Sequence, residues 1–150
     1  MPGLVLAGHW TATDWVLLDS ERQRCDFLET VIAGLGWGSR VVVKHARAED
    51  AGRDPRLRGR FDLVTARSFG PPGVVAECAA PFLRLGGELV VSDPPTGADD
   101  RWPAAPLAML GLAVRVHTAE DPHLTVLTQA AACPERFPRR PAPIAKRPLF

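Results

Sequence analysis

Cysteine is scarce in this 150-residue chain, and Cys25, Cys78 and Cys133 are odd in number with no C-x-x-C pair among them. That excludes a disulfide framework and a cysteine-based zinc site, and it fits reduced thiols in a cytosolic protein. His9, His45, His117 and His123 lack metal-ligand spacing, so no metal site is expected. No apolar run reaches the roughly 20 residues of a membrane-spanning helix. Met1-Pro2-Gly3 lacks the basic stretch that opens a signal peptide. A cytoplasmic monomer with no membrane partner is the expectation. No convincing acid/base dyad is present either, so no catalytic residue is assigned. Net charge is small, +1, but it hides an asymmetry, because the last stretch is clearly basic.

What the chain does contain is organised around Trp15 to Asp50. Trp15-Val16-Leu17-Leu18 is a short apolar run suited to a strand buried on both faces, and Asp19 follows at its carboxyl end. Ser20 with Gln23 reads as a capping box opening a helix whose apolar face is Cys25, Leu28, Val31, Ile32 and Leu35. Gly36 is placed to end it in a left-handed cap. Val41-Val42-Val43 is the next strand, so the unit is β-α-β with a right-handed crossover and parallel strands. Asp19, Glu49 and Asp50 then lie beyond carboxyl strand ends, the ligand edge of an open parallel sheet.

Ahead of this unit, PGLVLAG reads as a helix with proline in its first turn. In nucleotide-binding folds a ribose-holding acid follows the glycine-rich loop by about 20 residues. Counting back from Asp19 puts that loop at or just before residue 1, so a first strand and loop are expected to be missing. The other reading of Asp19 is a helix-start carboxylate favoured by the macrodipole.

Downstream, the connection carrying Arg53, Arg56, Arg58 and Arg60 reads as solvated. Phe61–Ala66 is a strand with Arg67 at its end, and Pro71-Pro72 start a helix with Val74, Val75, Cys78 and Phe82 on its apolar face. Leu85-Gly86-Gly87 is expected to turn the chain into a strand over Glu88–Val91, which continues the doubly wound order. A short helix over Ala104–Leu110 and closing strands over Leu112–Val116 and Leu124–Gln129 follow. The expected division is a domain over 1–133 and an extended, basic, proline-rich tail over 134–150.

The ordered set PGLVLAG, LLDSERQRCDFLE, ARAED, FDLVTARSF, LRLGGELVV and RFPRRPAPIAKRPL resembles the small-subunit ribosomal RNA guanine-N7 methyltransferase family, often called GidB- or RsmG-like. Members carry a G-x-G-x-G-L-P-G loop, an L-D-S strand end, an R-A-E segment, an S/A-R-A turn and, in many, a basic P-R-[KR]-P tail. The resemblance implies an α/β fold: the class I S-adenosylmethionine-dependent methyltransferase (Rossmann-like) sheet, here N-terminally truncated, with a closing antiparallel strand pair. Its ordinary strand order is 3-2-1-4-5-7-6. The resemblance also implies the cofactor S-adenosyl-L-methionine, held by Met1, Pro2 and Gly3 as the end of the loop, by Asp19 at the ribose, Ala48 and Glu49 at the adenine, and Arg67 on the methionine side. Ribosomal RNA or the small ribosomal subunit is the implied partner, with Arg136, Arg139, Arg140, Lys146 and Arg147 facing phosphates and Phe137 and Phe150 available for stacking. The K-G that many members show after the fifth strand is replaced by Ser92-Asp93.

The expected activity is methyl transfer to N7 of a guanine in small-subunit ribosomal RNA. A truncated relative that binds RNA without catalysing is the other reading, and a dinucleotide-binding oxidoreductase would need the same missing loop. Arg67 pairing with Asp62 is the structural alternative to a cofactor role. Asp93-Pro94-Pro95 matches only the opening of the D-P-P-aromatic loop of adenine-N6 methyltransferases. That loop follows strand 4 and ends in an aromatic, whereas this segment follows strand 5 and continues with Thr96.

Overall fold

The computed structural model describes residues 2–95, 100–118, 120–140, 144 and 146–150. These form two compact units, Met1–Asp50 and Ala51–Phe150.

The first unit begins with α1 (Pro2–His9), followed by β1 (Trp15–Asp19), α2 (Arg22–Gly34), β2 (Val41–His45) and the short α3 (Ala48–Ala51) at its end. β1 and β2 pair in parallel with Trp15 opposite Val41 and Asp19 opposite His45. The apolar interior is Ala7, Leu17, Leu28, Ile32 and Val41. Helix α1 lies close on β1 because Gly3 has no side chain there: a Cβ would stand 2.8 Å from the Leu17 Cδ2 methyl. Gly36 has a φ of 68° past the end of α2, as the left-handed cap requires. The expected face of α2 is buried at Cys25, Leu28 and Ile32, but Leu35 is exposed because it already caps the helix end.

One detail at the start of α2 differs from the capping-box expectation. Glu21, not Ser20, is the N-cap, and it makes no side-chain cap bond. The Asp19 carboxylate does that work from the preceding strand, accepting the Glu21 N–H at 2.9 Å.

The second unit holds β3 (Phe61–Ala66), α4 (Pro72–Ala79), a 3₁₀ turn (Ala80–Phe82), β4 (Leu83–Ser92), α5 (Ala104–Met109), β5 (Leu112–His117) and β6 (Leu124–Gln129). Its sheet runs β3-β4-β6-β5. β3 and β4 are parallel, and β6 is antiparallel to both β4 and β5. Taken separately, each sheet reproduces part of the expected order: β2-β1 its opening 3-2, and β3-β4-β6-β5 its closing 4-5-7-6 with the antiparallel pair. Leu89, Leu107, Leu110 and Leu127 centre a core that also takes in Val75, Ala76 and Phe137.

Two expectations for this unit are corrected. Leu85-Gly86-Gly87 is not a turn before a strand but part of one long strand, β4, whose register against β3 shifts between Phe61 and Leu63. Gly87 permits this, since a Cβ there would stand 2.8 Å from the Phe61 carbonyl oxygen. Nor is the arginine-rich connection simply solvated. Arg58 donates to the carbonyls of Gly52, Phe137, Cys133 and Pro134 at 2.8–3.1 Å, and Arg53 donates to the Pro138 carbonyl.

Those bonds tie the start of the 134–150 segment to the body of the second unit. Phe137 is 2% exposed, so it is not available for stacking on a nucleotide. Ile144 is buried, and Leu149 and Phe150 pack against the main core. Residues 141–143 and 145 lie outside the described set.

Candidate functional site

In the first unit the carboxyl ends of β1 and β2 bring Asp19 beside the segment that leads to Ala48 and Glu49. The Ala46 N–H donates to the Asp19 carbonyl at 3.0 Å, and His45 Nε2 lies 3.2 Å from the Ser20 carbonyl. Two cofactor candidates, Asp19 and the Ala48-Glu49 pair, thus share one edge. Glu49 is buried and accepts Arg47 Nε at 2.7 Å. Pro2 and Gly3 form the first turn of α1, and Met1 lies outside the described residues.

The Asp19 carboxylate is already well supplied with donors. Arg24 Nε reaches Oδ2 at 2.7 Å and Arg24 Nη2 reaches Oδ1 at 2.8 Å, while Oδ1 also takes the Glu21 N–H. The Arg24 guanidinium, followed by the backbone N–H groups of Glu21 and Ser20, holds the Asp19 carboxyl below its ordinary range against a smaller opposing effect of burial. Asp19 is therefore an ionised, acceptor-only group at neutral pH. An ionised carboxylate offers about four lone-pair sites, and the donors of Arg24, Glu21 and Ser20 address most of them. Cys25, buried beneath this edge, has its thiol pushed up by burial, so it is an inert packing residue.

Arg67 belongs to the second unit and lies just past the end of β3, exposed and without a partner among the described residues. Its pairing with Asp62 does not occur, because Asp62 takes Arg84 Nε at 2.6 Å. Next to it Ser68 has a φ of 51°, a left-handed conformation that non-glycine residues rarely adopt. Beyond Ser68 the carboxyl ends of β3 and β4 frame a cleft of about 280 Å3 lined in part by Phe69, Val75, Asp93, Arg101 and Trp102.

Asp93 forms the floor of that cleft. Its side chain is 0% exposed, and it receives Arg101 Nε and Trp102 Nε1, both at 3.2 Å, together with the Thr125 hydroxyl. His117 Nδ1 stands 2.8 Å from the same Thr125 oxygen. In the sequence Ser92-Asp93 stands out only as a departure from a family pattern. The signal that could have found the cleft is a carboxylate directly after a buried strand, with an Arg-Trp pair eight and nine residues on.

Among the basic residues expected to meet RNA, the structure separates one from the rest. Arg139 is engaged with Glu77, whose side chain is 0% exposed: Nη2 donates to Oε2 at 2.7 Å, Nε to Oε1 at 2.9 Å, and the Arg139 backbone N–H to Oε1 at 2.8 Å. Arg136, Arg140, Lys146 and Arg147 are exposed, with Arg136 stacked 5.1 Å over the Phe137 ring. Glu77 carries no role in the sequence reading, although a lone acid within the apolar helix PGVVAECA was the available signal.

The comparisons with known proteins bear on the family and the fold. The family model for GidB, rRNA small subunit methyltransferase G, matches residues 1–93. The chain belongs to this family. It is 36% identical over 160 residues to the ribosomal RNA small subunit methyltransferase G of Symbiobacterium thermophilum, covering 99% of this chain and 65% of that protein. With the protein of the same name from Synechococcus elongatus it shares 33% identity, covering 99% of this chain and 64% of that one. The chain thus spans just under two thirds of the length of these relatives. A solved Corynebacterium glutamicum protein superposes with a TM-score of 0.59 at 25% identity, over 85% of this chain and 65% of that one. A putative methylase from Haemophilus influenzae reaches a TM-score of 0.62 at 14% identity, over 85% of this chain and 79% of that one. This second likeness concerns the fold alone, and the fold is that of class I methyltransferases.

Proposed function

We propose that this chain takes part in S-adenosylmethionine-dependent methylation of N7 of a guanine in small-subunit ribosomal RNA. The observation that carries the reading is Asp19: an ionised carboxylate at the carboxyl end of β1, beside the end of β2, the position from which an acid would accept a ribose hydroxyl. Ala48 and Glu49 would lie toward the adenine. Arg67 would use its exposed planar fork on the carboxylate of the methionine moiety. Pro2 and Gly3, with Met1, would lie at the loop end of the same ligand.

The cofactor supplies an electrophilic sulfonium methyl group. Guanine N7 has a free lone pair and no proton to lose, so the displacement needs no general base. What the protein must supply is alignment of the two reactants and exclusion of water. The exposed cations Arg136, Arg140, Lys146 and Arg147 would neutralise phosphates of the RNA, while Arg139 serves the fold.

The test pairs calorimetric titration with S-adenosylmethionine and transfer of labelled methyl from it to small ribosomal subunits. Cofactor binding that is lost in Asp19→Ala, with label recovered as 7-methylguanine, is the expected result. RNA binding without cofactor binding would replace this reading with that of a non-catalytic RNA-binding relative.

A further inference from the structure

The Asp19 carboxylate has its acceptor sites taken from within the chain itself, and the donors differ in how easily they can leave. Oδ1 takes the Glu21 N–H at 2.9 Å and Arg24 Nη2 at 2.8 Å, Oδ2 takes Arg24 Nε at 2.7 Å, and the Ser20 N–H also bonds to the group. With about four lone-pair sites on an ionised carboxylate, a hydroxyl arriving here meets sites already addressed. The backbone N–H groups belong to the entry of α2, where Glu21 is the N-cap, and they cannot withdraw without unwinding that entry.

Arg24 can withdraw. Its side chain is 55% exposed, against 15% for Asp19. Exposed ion pairs contribute little, because a long side chain must be held in one geometry to make them. A second acceptor is also at hand. Glu21, three residues earlier on the same helix, already acts on the Arg24 guanidinium as a further favourable charge. Nor is the arginine needed to aim the carboxylate, since the Glu21 N–H fixes Oδ1 from the backbone.

We propose that Arg24 competes with the ligand for Asp19: it pairs with the carboxylate until the ribose hydroxyls of an adenosine-containing ligand displace it. Two hydroxyl donors then replace two N–H donors, so the carboxylate keeps its hydrogen bonds and one exposed ion pair is lost. The inference rests on the cofactor reading above and adds the residue that sets how tightly Asp19 holds the ribose. An arginine that oriented the carboxylate would strengthen ribose binding, whereas a competitor weakens it, so the two roles differ in sign.

Ligand-observed NMR titration of the chain with adenosine and with 2′,3′-dideoxyadenosine tests it. Both ligands are uncharged, so removing a cation does not alter their affinity through long-range charge. Dideoxyadenosine lacks both hydroxyls and reports on every contact except those to Asp19. In Arg24→Met, adenosine should bind about two- to fivefold tighter, the scale of an exposed ion pair, with dideoxyadenosine unchanged. Arg24→Lys, whose compact ammonium cannot fork across both carboxylate oxygens, should fall between wild type and Arg24→Met. Arg22→Ala removes a like charge that pairs with Asp26 instead, and it should change neither affinity. Asp19→Ala, alone or with Arg24→Met, should bring adenosine to the level of dideoxyadenosine. Circular dichroism melts within a degree or two of wild type exclude misfolding of the arginine variants. Weaker adenosine binding in Arg24→Met, with dideoxyadenosine unchanged, would make Arg24 an orienting residue and overturn the proposal. An adenosine preference untouched by Arg24→Met but abolished by Asp19→Ala would overturn it too, leaving the cofactor reading intact. Equal affinities for the two ligands in every form, or binding of neither by any form, would reject the ribose role of Asp19 itself, and this inference with it.

Discussion

Removing the Arg139 side chain isolates what the C-terminal segment does for stability. In Arg139→Ala, Glu77, whose side chain is 0% exposed in the intact protein, loses Nε and Nη2 and retains the Arg139 backbone N–H on Oε1. Breaking a buried ion pair by deleting one partner costs about 3–5 kcal/mol, because the other charge is left uncompensated. Arg139 is 29% exposed, and one backbone bond survives, so the lower end applies: about 3 kcal/mol. At roughly 2–4 °C per kcal/mol for a chain of this size, the melting midpoint should fall by about 6–12 °C. Arg140→Ala, an exposed neighbour of like charge, should change it by no more than about 0.5 kcal/mol. Differential scanning calorimetry of both variants, with Glu77→Gln/Arg139→Ala as a double variant, makes the comparison. The double variant should recover part of the loss, since no buried charge remains. Equal midpoints for Arg139→Ala and Arg140→Ala would refute the argument and return Arg139 to the set of free cations.

Two further outcomes follow from local geometry. Asp19 has its folded pKa depressed, chiefly by Arg24, so its stabilising effect is complete above the unfolded value of about 3.9 and is lost as pH falls through the lower folded value. In Arg24→Gln the urea midpoint should therefore fall less steeply below pH 4 than in wild type; parallel curves would contradict the assignment. Gly111, with a φ of 79°, leaves no room for a Cβ, which would stand 2.1 Å from the Ala131 carbonyl oxygen. Gly111→Ala should cost at least about 1–3 kcal/mol by the usual scale of backbone strain, measured by urea unfolding, and a neutral effect would show that the turn after α5 adapts.

The parts of the fold legible in the sequence are those set by short apolar runs and their punctuation. Trp15–Leu18, Val41–Val43, Phe61–Ala66, Leu112–Val116 and Leu124–Gln129 are strands within a residue or two of expectation, because each is bounded by a polar residue or a turn. β4 runs longer than expected. Gly86 and Gly87 read as a turn in isolation, but pairing with β3 recruits them, and the ladder outweighs the local preference. The Asp19 edge is legible because a strand end and the helix after it are contiguous in sequence. The Asp93 cleft is not, since Phe69 and Val75 meet Asp93 and Arg101 there only through strand order.

The basic residues show most clearly why composition alone misleads. Arg58 and Arg139 are drawn from stretches that look equally suited to solvent or to phosphate, yet each is committed to the fold. What distinguishes them is the acceptor they meet. Arg58 satisfies the carbonyls of Cys133, Pro134 and Phe137, in a segment whose prolines prevent it from building a ladder of its own. Buried carbonyls must find donors somewhere, and an arginine fork can serve several of them at once. Arg139 answers the single carboxylate inside α4 in the same way. A proline-rich segment packed on a core therefore consumes cations from elsewhere in the chain in proportion to its unpaired carbonyls. The charges that stay exposed after that demand is met are Arg136, Arg140, Lys146 and Arg147 in this segment.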